Sequence, residues 1–408
     1  MSTMQGAPKS LRLHIGLFGR RNVGKSSLLN AVTRQQVSIV SAYAGTTTDP
    51  VEKPMELLPL GPVLFVDTAG VDDEGALGEM RMARTRAVLD RVDLGMIVCD
   101  RGQWGSFEQG LLAELQARKV PVLLVHNKLD LGLQASAPAD LPQVAVSALA
   151  GAGMLDLREA LLKLAPGDFF DNRRLLADLV PPGELAVLVV PIDKEAPKGR
   201  LILPQVMAIR DLLDGEAMAM VVQERELAGA LKRLNRPPAL VVTDSQAFLK
   251  VAADVPRDLP MTSFSILMAR FQGDLAEQVR GTLGIERLKG GDRVLVVETC
   301  SHHPVGEDIG RVKIPRWLTQ YVGAKLEFEH TQGRDFPADL SPYRLVVHCG
   351  NCTGNRREML SRIHRSREAG VPITNYGLTI AYSLGIFARA LEPFPVAREA
   401  YQALAARA

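Results

Sequence analysis

The chain has 408 residues and a net charge of only +2, with 47% hydrophobic and 23% charged residues. This length predicts two to four domains, and the near-neutral charge argues against nucleic acid as the main partner. No apolar run is long enough to span a membrane, and residues 1–10 lack the apolar core of a secretion signal. The four cysteines are few and clustered, which is typical of proteins in a reducing compartment. We therefore expect a cytoplasmic protein without membrane contact.

Short β-rich runs alternate with helical patterns along the whole chain, which predicts parallel α/β sheets. A proline-containing linker follows the first block, and Lys289-Gly290-Gly291-Asp292 separates the second block from the third. We therefore predict three α/β domains, at residues 1–166, 167–288 and 289–408. The second and third are smaller, mainly parallel-sheet domains.

The first block opens with a buried strand, Leu13–Phe18, and a phosphate-binding loop. The segment Gly19-Arg20-Arg21-Asn22-Val23-Gly24-Lys25-Ser26 fits the pattern GxxxxGKS, in which glycines let backbone N–H groups surround phosphates. Lys25 supplies charge to the β- and γ-phosphates and Ser26 binds Mg²⁺, at the N-terminus of the following helix. The predicted contacts to the phosphates are Gly19, Asn22, Val23, Gly24, Lys25, Ser26 and Ser27.

Two later segments predict guanine as the base. Asn127, Lys128 and Asp130 follow the strand Val122–Val125. The Asp130 carboxylate can accept hydrogen bonds from both N1–H and N2–H of guanine, a donor pair that adenine lacks. Ser147 and Ala148 resemble the last loop that contacts guanine in such proteins.

Two further segments predict the contacts to Mg²⁺ and the γ-phosphate. Asp67-Thr68-Ala69-Gly70 follows an apolar strand, so Asp67 is expected to hold Mg²⁺ through water and Gly70 to sense the γ-phosphate. In the switch-like segment Gly45–Asp49, Thr47 is the predicted second Mg²⁺ hydroxyl, with its two threonine neighbours as alternatives. The predicted catalytic set is Lys25, Thr47, Asp67 and Gly70, in a P-loop GTPase fold.

These motifs resemble the translation-factor-related GTPases, in particular the tRNA-modification GTPase and Era group. The segments that carry the resemblance are the P-loop, Ser27-Leu28-Leu29-Asn30 and Gly45–Asp49. Val71 stands where Ras-type enzymes have the glutamine that orients water. Asn22 occupies the position that helps to bind K⁺ in potassium-activated members. The resemblance therefore implies slow, K⁺-stimulated GTP hydrolysis.

The second block has strand and helix patterns but no cluster of metal ligands and no catalytic motif. We therefore predict a packing or dimerisation domain. The predicted strands are Leu185–Ile192, Ala217–Val222, Ala239–Thr243 and Ser263–Met268. The predicted helices are Val206–Leu213, Glu226–Leu234, Gln246–Ala253 and Asp274–Leu283.

The third block contains three of the four cysteines, each just beyond a predicted strand. Cys300 and His302 follow Arg293–Glu298, and His348, Cys349 and Cys352 lie at or beyond Arg344–His348. The other predicted strands are Lys325–Glu329 and Pro372–Asn375. Because sites form at the carboxyl ends of parallel strands, these side chains should converge on one edge if the two strands are neighbours.

Thiolates and imidazoles at this spacing indicate a metal site, and two kinds of site remain open. A structural zinc needs four closed ligands, which the three cysteines and one histidine can provide. A 4Fe–4S cluster needs four corners, so three cysteines leave one iron to another group. Glu298, His302 and His348 are candidates for that group, and the residues alone do not choose between zinc and iron.

A GTPase followed by CxH and a distant HCxxC resembles the maturation GTPases of FeFe-hydrogenase over essentially the full chain. The resemblance implies that Cys300, Cys349 and Cys352 hold a 4Fe–4S cluster with an exchangeable fourth position. It also implies a scaffold and carrier that receives a diiron precursor bearing CO, cyanide and a dithiolate. Its implied partners are two radical-SAM maturases, the apo FeFe-hydrogenase and a second copy of the chain, with pairing into tetramers left open.

The main alternative is a zinc-stabilised GTPase that associates with RNA or the ribosome. It predicts zinc and RNA binding, and the near-neutral charge argues against it. A GTPase that inserts metal into another metalloprotein shares the nucleotide site and differs only in its partner.

Overall fold

The computed structural model describes residues 7–33, 50–58, 60–68, 84–132, 138, 140–167, 173–192, 201–299 and 308–405. Four predicted site residues lie outside these ranges: Thr47, Gly70, Cys300 and His302. The chain divides into two compact units, Met1–Asn172 and Arg173–Ala408. The second unit contains two separate four-stranded sheets, and the predicted division of this region at residue 288 stays a prediction.

The first unit is built on a six-stranded sheet with the order β2-β3-β1-β4-β5-β6. Only the edge strand β2 is antiparallel to its neighbour, so the predicted mainly parallel α/β fold is confirmed. The strands are β1 (Leu13–Phe18), β2 (Val51–Leu57), β3 (Gly61–Asp67), β4 (Leu94–Asp100), β5 (Val122–Asn127) and β6 (Gln143–Ala145). The helices are α1 (Lys25–Thr33), α2 (Ser106–Ala117) and α3 (Met154–Leu164), and residues 84–89 are also helical.

Successive side chains of the central strands point to the two faces of this sheet, and both faces are buried. In β4, Met96 belongs to the cluster that includes leucines of α1 and α3. Ile97 and Cys99 point to the opposite face of the sheet and belong to the cluster that includes leucines of α2. Successive side chains of a strand point to opposite faces, and helices on both faces are what a central parallel strand requires. Cys99 is therefore the buried strand residue that the sequence predicted.

The second unit begins with a fully parallel sheet of order β10-β9-β7-β8. Its strands are β7 (Leu185–Val189), β8 (Met218–Val222), β9 (Leu240–Thr243) and β10 (Met261–Ser263). The helices between residues 203 and 282 are α4 (Leu203–Asp214), α5 (Leu227–Arg233), α6 (Phe248–Asp254), α7 (Phe264–Gln272) and α8 (Leu275–Thr282).

The third sheet is also fully parallel, with the order β12-β11-β13-β14. Its strands are β11 (Arg293–Glu298), β12 (Glu327–Gln332), β13 (Leu345–His348) and β14 (Ile373–Asn375). The helices are α9 (Ile314–Val322), α10 (Arg356–Glu368), α11 (Tyr376–Ser383), α12 (Phe387–Leu391) and α13 (Pro395–Ala405). In the described part of the chain, no helix combines the length and apolar character needed to cross a membrane.

One predicted strand, Ser263–Met268, is wrong. The strand β10 ends at Ser263, and Phe264 begins the helix α7. The Ser263 hydroxyl accepts a hydrogen bond from the backbone N–H of Ile266 and caps the helix. Most residues of α7 are buried, so hydrophobic side chains are not confined to one face of the helix. For such a short apolar run, the sequence pattern alone does not distinguish a helix from a strand.

Candidate nucleotide and metal sites

The phosphate-binding loop runs from β1 to α1 and depends on its glycines. A Cβ atom on Gly24 would lie 2.2 Å from Asn127 Nδ2, and one on Gly19 would lie 2.4 Å from the carbonyl oxygen of Val98. Gly19, Asn22 and Gly24 also have positive φ angles of 147°, 61° and 92°, a region that favours glycine and tolerates asparagine. A larger residue at Gly24 would displace the loop from the base-binding segment, and one at Gly19 would displace it from the strand β4.

The Lys25 ammonium lies in the mouth of this loop. Its Nζ donates to the carbonyl oxygens of Gly19 at 2.9 Å and Arg20 at 2.8 Å. The loop therefore holds a buried positive charge beside the N-terminus of α1, where phosphate oxygens are stabilised by both the cation and the helix dipole.

Ser26 and Asp67 come together as the sequence predicted for a magnesium site. The Ser26 hydroxyl donates to Asp67 Oδ2 at 2.7 Å, and Asp67 Oδ1 is buried without a hydrogen-bond partner among the described residues. Burial raises the pKa of Asp67, and the Ser26 hydrogen bond and the Lys25 charge oppose that rise. A hydroxyl and an unpartnered carboxylate oxygen are suitable oxygen ligands for a hard dication, so these residues fit Mg²⁺.

The base-binding segments are joined by side-chain hydrogen bonds. Asn127 Nδ2 donates to the carbonyl oxygen of Val23 at 2.9 Å, and Asn127 Oδ1 accepts from the backbone N–H of Ala148 at 3.0 Å. The Ser147 hydroxyl donates to Asp130 Oδ1 at 2.6 Å. Asn127 therefore ties the phosphate loop to the last loop, and Ser147 orients the carboxylate that is predicted to read guanine.

Lys128 lies beside these groups in a left-handed backbone conformation, with φ of 64°. Its ammonium pairs with Asp100 Oδ2 at 2.6 Å, at the end of the neighbouring strand β4. The structure thus brings Ser26 to Asp67, Asn127 to Val23 and Ala148, and Ser147 to Asp130, and the roles of these residues in binding the nucleotide stay predictions.

The second candidate site lies at the carboxyl edge of the third sheet. The strands β11 and β13 are neighbours, with Val297 opposite His348. This is the strand order that the predicted ligands need if they are to converge on one edge of the sheet. The backbone N–H of Cys349 donates to the carbonyl oxygen of Val297 at 2.9 Å. The segments that follow both strands therefore begin side by side.

Thr299 contacts the sulfur of Cys349 through two groups. Its backbone N is 3.3 Å and its Oγ1 is 3.2 Å from Cys349 Sγ. Hydrogen bonds of this kind are typical of the thiolates that hold iron–sulfur clusters. The next residue in the chain is Cys300, which lies outside the described residues.

Neither Cys349 nor Cys352 forms a disulfide with another described residue. The donor set fits a soft metal centre held by thiolates. Within the described ranges, no group of three potential metal ligands is assembled.

Glu298 is buried at the end of β11 and faces Tyr376. The Tyr376 hydroxyl donates to Glu298 Oε1 at 3.2 Å. Burial, followed by the charges of Cys349, Glu298 and Asp308, raises the pKa of Tyr376 well above its usual value. Tyr376 therefore remains a protonated donor, and Glu298 is held close to the cysteine loop.

His348 is fully buried, and both of its ring nitrogens are engaged. Nδ1 is 2.8 Å from the carbonyl oxygen of Cys349, and Nε2 is 2.8 Å from Nη1 of Arg362. Burial and the Arg362 charge lower the pKa of His348 to about 3, so the ring is neutral. In this arrangement neither nitrogen is available to a metal, which argues against the prediction of His348 as a fourth ligand.

Three residues that shape this site were not predicted from the sequence: Thr299, Tyr376 and Arg362. Thr299 had a local signal, because it stands directly between two candidate ligands. Tyr376 and Arg362 are 24 and 10 residues beyond Cys352, and no motif connects them to it. Only the strand order and helix packing bring them to the cysteine loop.

Three family models match the chain. Residues 175–273 match the hydrogen maturase F dimerization domain, and residues 276–393 match the hydrogen maturase F tetramerization domain. Together these two models cover more than half of the chain. Residues 14–128 match a third model, described as 50S ribosome-binding GTPase.

Curated relatives resemble the first unit. The tRNA modification GTPase MnmE of Xanthomonas oryzae pv. oryzae is 41% identical over 158 residues, which are 38% of this chain and 34% of that protein. MnmE of Nitrosomonas europaea is 33% identical over 200 residues, 45% of this chain and 44% of that protein. The chain thus spans about a third to under half of the length of these relatives.

Solved structures of GTPases resemble the chain more distantly. Era in complex with a magnesium-bound GTP analogue and 16S ribosomal RNA has a TM-score of 0.33 at 20% identity, over 52% of this chain and 91% of Era. The G domain of the T. maritima FeoB iron transporter has a TM-score of 0.29 at 23% identity, over 38% of this chain and 98% of that domain. Scores this low carry no argument about function.

Proposed function

Because this chain belongs to the hydrogen maturase F family, we propose that it is a GTPase and cluster scaffold that delivers the diiron precursor of the active site to apo FeFe-hydrogenase. One observation carries the proposal: Cys349 and the residue before Cys300 meet at a sheet edge, in a chain that also has a guanine-nucleotide site. We place it in the cytoplasm, where thiols stay reduced.

The first unit binds and hydrolyses GTP in this proposal. The phosphate loop and Lys25 hold the phosphates, and Asp130 selects guanine. Ser26, Asp67 and Thr47 would hold Mg²⁺, which neutralises charge on the phosphates, while Gly70 responds to the γ-phosphate. Hydrolysis is slow because Val71 cannot orient the attacking water.

Asn22 would hold K⁺ at the phosphate loop, so that K⁺ replaces an arginine finger. The test compares GTP turnover in KCl and NaCl at equal ionic strength, for the wild type and Asn22→Ala. We expect the wild type to be faster in K⁺ and the variant to respond equally to both salts. Equal wild-type rates in the two salts would refute the role of K⁺.

The third sheet holds the cluster in this proposal. Cys300, Cys349 and Cys352 would bind three corners of a 4Fe–4S cluster, which supplies an iron with one exchangeable position. His302 and Glu298 remain candidates for the fourth ligand, and the buried contact with Tyr376 favours a fixed position for Glu298. The diiron unit bearing CO, cyanide and a dithiolate is the cargo, received together with the two radical-SAM maturases.

The family models that match residues 175–393 are named for dimerization and tetramerization, which supports a homodimer that pairs further into a tetramer. GTP hydrolysis in this scheme changes the affinity for partners through the switch loops.

Anaerobic reconstitution with iron and sulfide tests the scaffold role. We expect about four irons per chain, as a 4Fe–4S cluster requires, and the corresponding EPR signal after reduction. Cys300→Ala and Cys349→Ala should each lose most of that signal, whereas Cys99→Ala should keep it because Cys99 is buried in the first unit. Stoichiometric zinc that iron cannot replace, together with RNA binding, would instead support the zinc-stabilised GTPase.

A further inference from the structure

The hydrogen bonds of Arg362 determine which nitrogen of His348 carries the proton. A guanidinium group only donates hydrogen bonds, so His348 Nε2, 2.8 Å from Arg362 Nη1, must be the acceptor. A nitrogen that accepts a hydrogen bond carries no hydrogen, so the ring hydrogen is on Nδ1, which donates to the carbonyl oxygen of Cys349. His348 thus connects Arg362 to the backbone of the first cysteine in the CxxC loop.

The Arg362 guanidinium is itself held in place by further hydrogen bonds and by an aromatic ring. It is buried in α10, where Nη2 donates to Glu358 Oε1 at 2.8 Å and to the carbonyl oxygen of Gly333 at 3.2 Å. The guanidinium also stacks on the ring of Phe336, with 5.4 Å between the two centres. A buried charge with a carboxylate partner and fixed donors has one orientation, which makes Arg362 a rigid support for the imidazole.

A second contact holds the middle of the same loop. Asn351 has a left-handed backbone, with φ of 54°, and its Nδ2 donates to the carbonyl oxygen of Asn355 at 2.9 Å. A Cβ on Gly354 would lie 2.2 Å from Asn351 Oδ1, so the chain passes tightly around this side chain. The loop is therefore held both at its entry, beside Cys349, and between its two cysteines.

We propose that His348 and Arg362 are positioning residues, which fix the carbonyl of Cys349 and so hold the CxxC thiols ready for a metal centre. In this assignment His348 is a support for the loop and not a ligand. The inference rests on the proposed function only in taking Cys349 and Cys352 as ligands. Loss of outer contacts of this kind lowers metal affinity by about 10- to 100-fold in other sites.

The first experiment measures the affinity of the full-length apo-protein for Co²⁺, whose thiolate complexes absorb visible light. We expect Arg362→Met to bind Co²⁺ about tenfold more weakly than the wild type. Arg362→Lys keeps a donor for Nε2 and a charge for Glu358 but lacks the planar fork of arginine, so it should recover only part of the affinity.

Arg365→Met is the matched control. Arg365 lies on the same helix, stacks on the same Phe336 ring at 5.0 Å, and donates to the carbonyl oxygen of Pro337 at 2.6 Å. Its substitution removes similar packing while both nitrogens of His348 keep their partners. An Arg362→Met protein with the same Co²⁺ affinity as Arg365→Met would overturn the proposal.

The second experiment observes His348 itself. Nitrogen-15 NMR of histidine-labelled apo-protein, with His348→Asn to assign the signal, should show a neutral ring protonated on Nδ1. Pulsed EPR of the reconstituted cluster should show the same nitrogen coupling in wild type and His348→Asn. A strong coupling that this variant loses would make His348 a ligand and overturn the proposal.

These outcomes are distinguishable from failure of the proposed function. A wild type that binds Co²⁺ with the expected dependence on Arg362 but never assembles a 4Fe–4S cluster would contradict the scaffold role alone. A wild type that assembles the cluster, with Arg362→Met no weaker than Arg365→Met, would contradict the positioning role alone.

Discussion

At the scale of single residues, both candidate sites contain side chains whose orientation is set by hydrogen bonds with neighbouring residues. Ser147 fixes the Asp130 carboxylate through a 2.6 Å hydrogen bond, and Asn127 ties two loops together. At the other site, Thr299 donates to the Cys349 sulfur. Preorganisation of this kind lowers the cost of binding, because the groups do not have to be ordered when the ligand arrives.

Asp130→Asn should change which base is bound. The amide accepts one hydrogen bond where the carboxylate accepts two, so GTP binding should weaken by about 3 kcal/mol, or roughly 100-fold. Affinity for xanthosine triphosphate should rise, because its C2 carbonyl can accept from the new amide. Titration with fluorescent nucleotides measures both, and Asp140→Asn at an exposed position is the control. An unchanged preference for guanine would contradict the role of Asp130.

Cys99 should be chemically inert in the folded protein. Burial, followed by the charge of Glu108, raises the pKa of its thiol to about 12, so almost no thiolate exists at pH 8 and the side chain is shielded. Iodoacetamide added to apo-protein at pH 8 should label Cys349 and Cys352, as peptide mass spectrometry can show, and should label Cys99 only after unfolding. Labelling of all these cysteines at equal rates would contradict the buried position.

At the scale of secondary-structure elements, the helix α7 links the second sheet to the candidate metal site. It begins at the cap residue Ser263, which also accepts a hydrogen bond from Ser245 at 3.0 Å. Further along α7, Met268 packs beside Gly350 of the CxxC loop, since a Cβ on that glycine would lie 3.3 Å from Met268 Cβ. A change at the start of this helix should therefore affect both stability and the loop.

Ser263→Ala should destabilise the second unit by about 1–2 kcal/mol, because it removes a helix cap and leaves the Ser245 hydroxyl without this partner. Asp274→Ala removes the exposed cap of α8 and should cost about 1 kcal/mol or less. Urea unfolding followed by circular dichroism gives both values. A Ser263→Ala protein as stable as the wild type would show that the cap contributes nothing there.

At the scale of the whole molecule, the chain consists of two compact units, Met1–Asn172 and Arg173–Ala408. The first has its own two-faced core and contains all the described nucleotide contacts. The second contains the two sheets that match the hydrogen maturase F models. Nucleotide binding and oligomerisation are therefore expected to belong to different units.

Residues 1–172, expressed alone, should fold and bind GTP as a monomer, and residues 173–408 should form the oligomer. Size-exclusion chromatography with light scattering measures both masses. Saturating the first fragment with GTP at 100 times its Kd should stabilise it by about 2.7 kcal/mol, visible as a higher Tm. A monomeric second fragment, or a first fragment without nucleotide binding, would contradict this division.

The sequence by itself determined the nucleotide-binding motifs and the α/β class, because these depend on contiguous motifs and on short-range periodicity. The cysteine-based site that it indicated stays a prediction. The Gly19–Ser26 loop and the Asn127–Asp130 segment can be identified without knowing the fold, because the residues that form each motif are close together in the sequence. Only the tertiary structure decided that β11 and β13 are neighbours, that Ser263 caps a helix beginning at Phe264, and that Arg362 hydrogen-bonds to the imidazole of His348. These features depend on strand order, burial and contacts between distant residues, and a local sequence pattern gives no information about any of these.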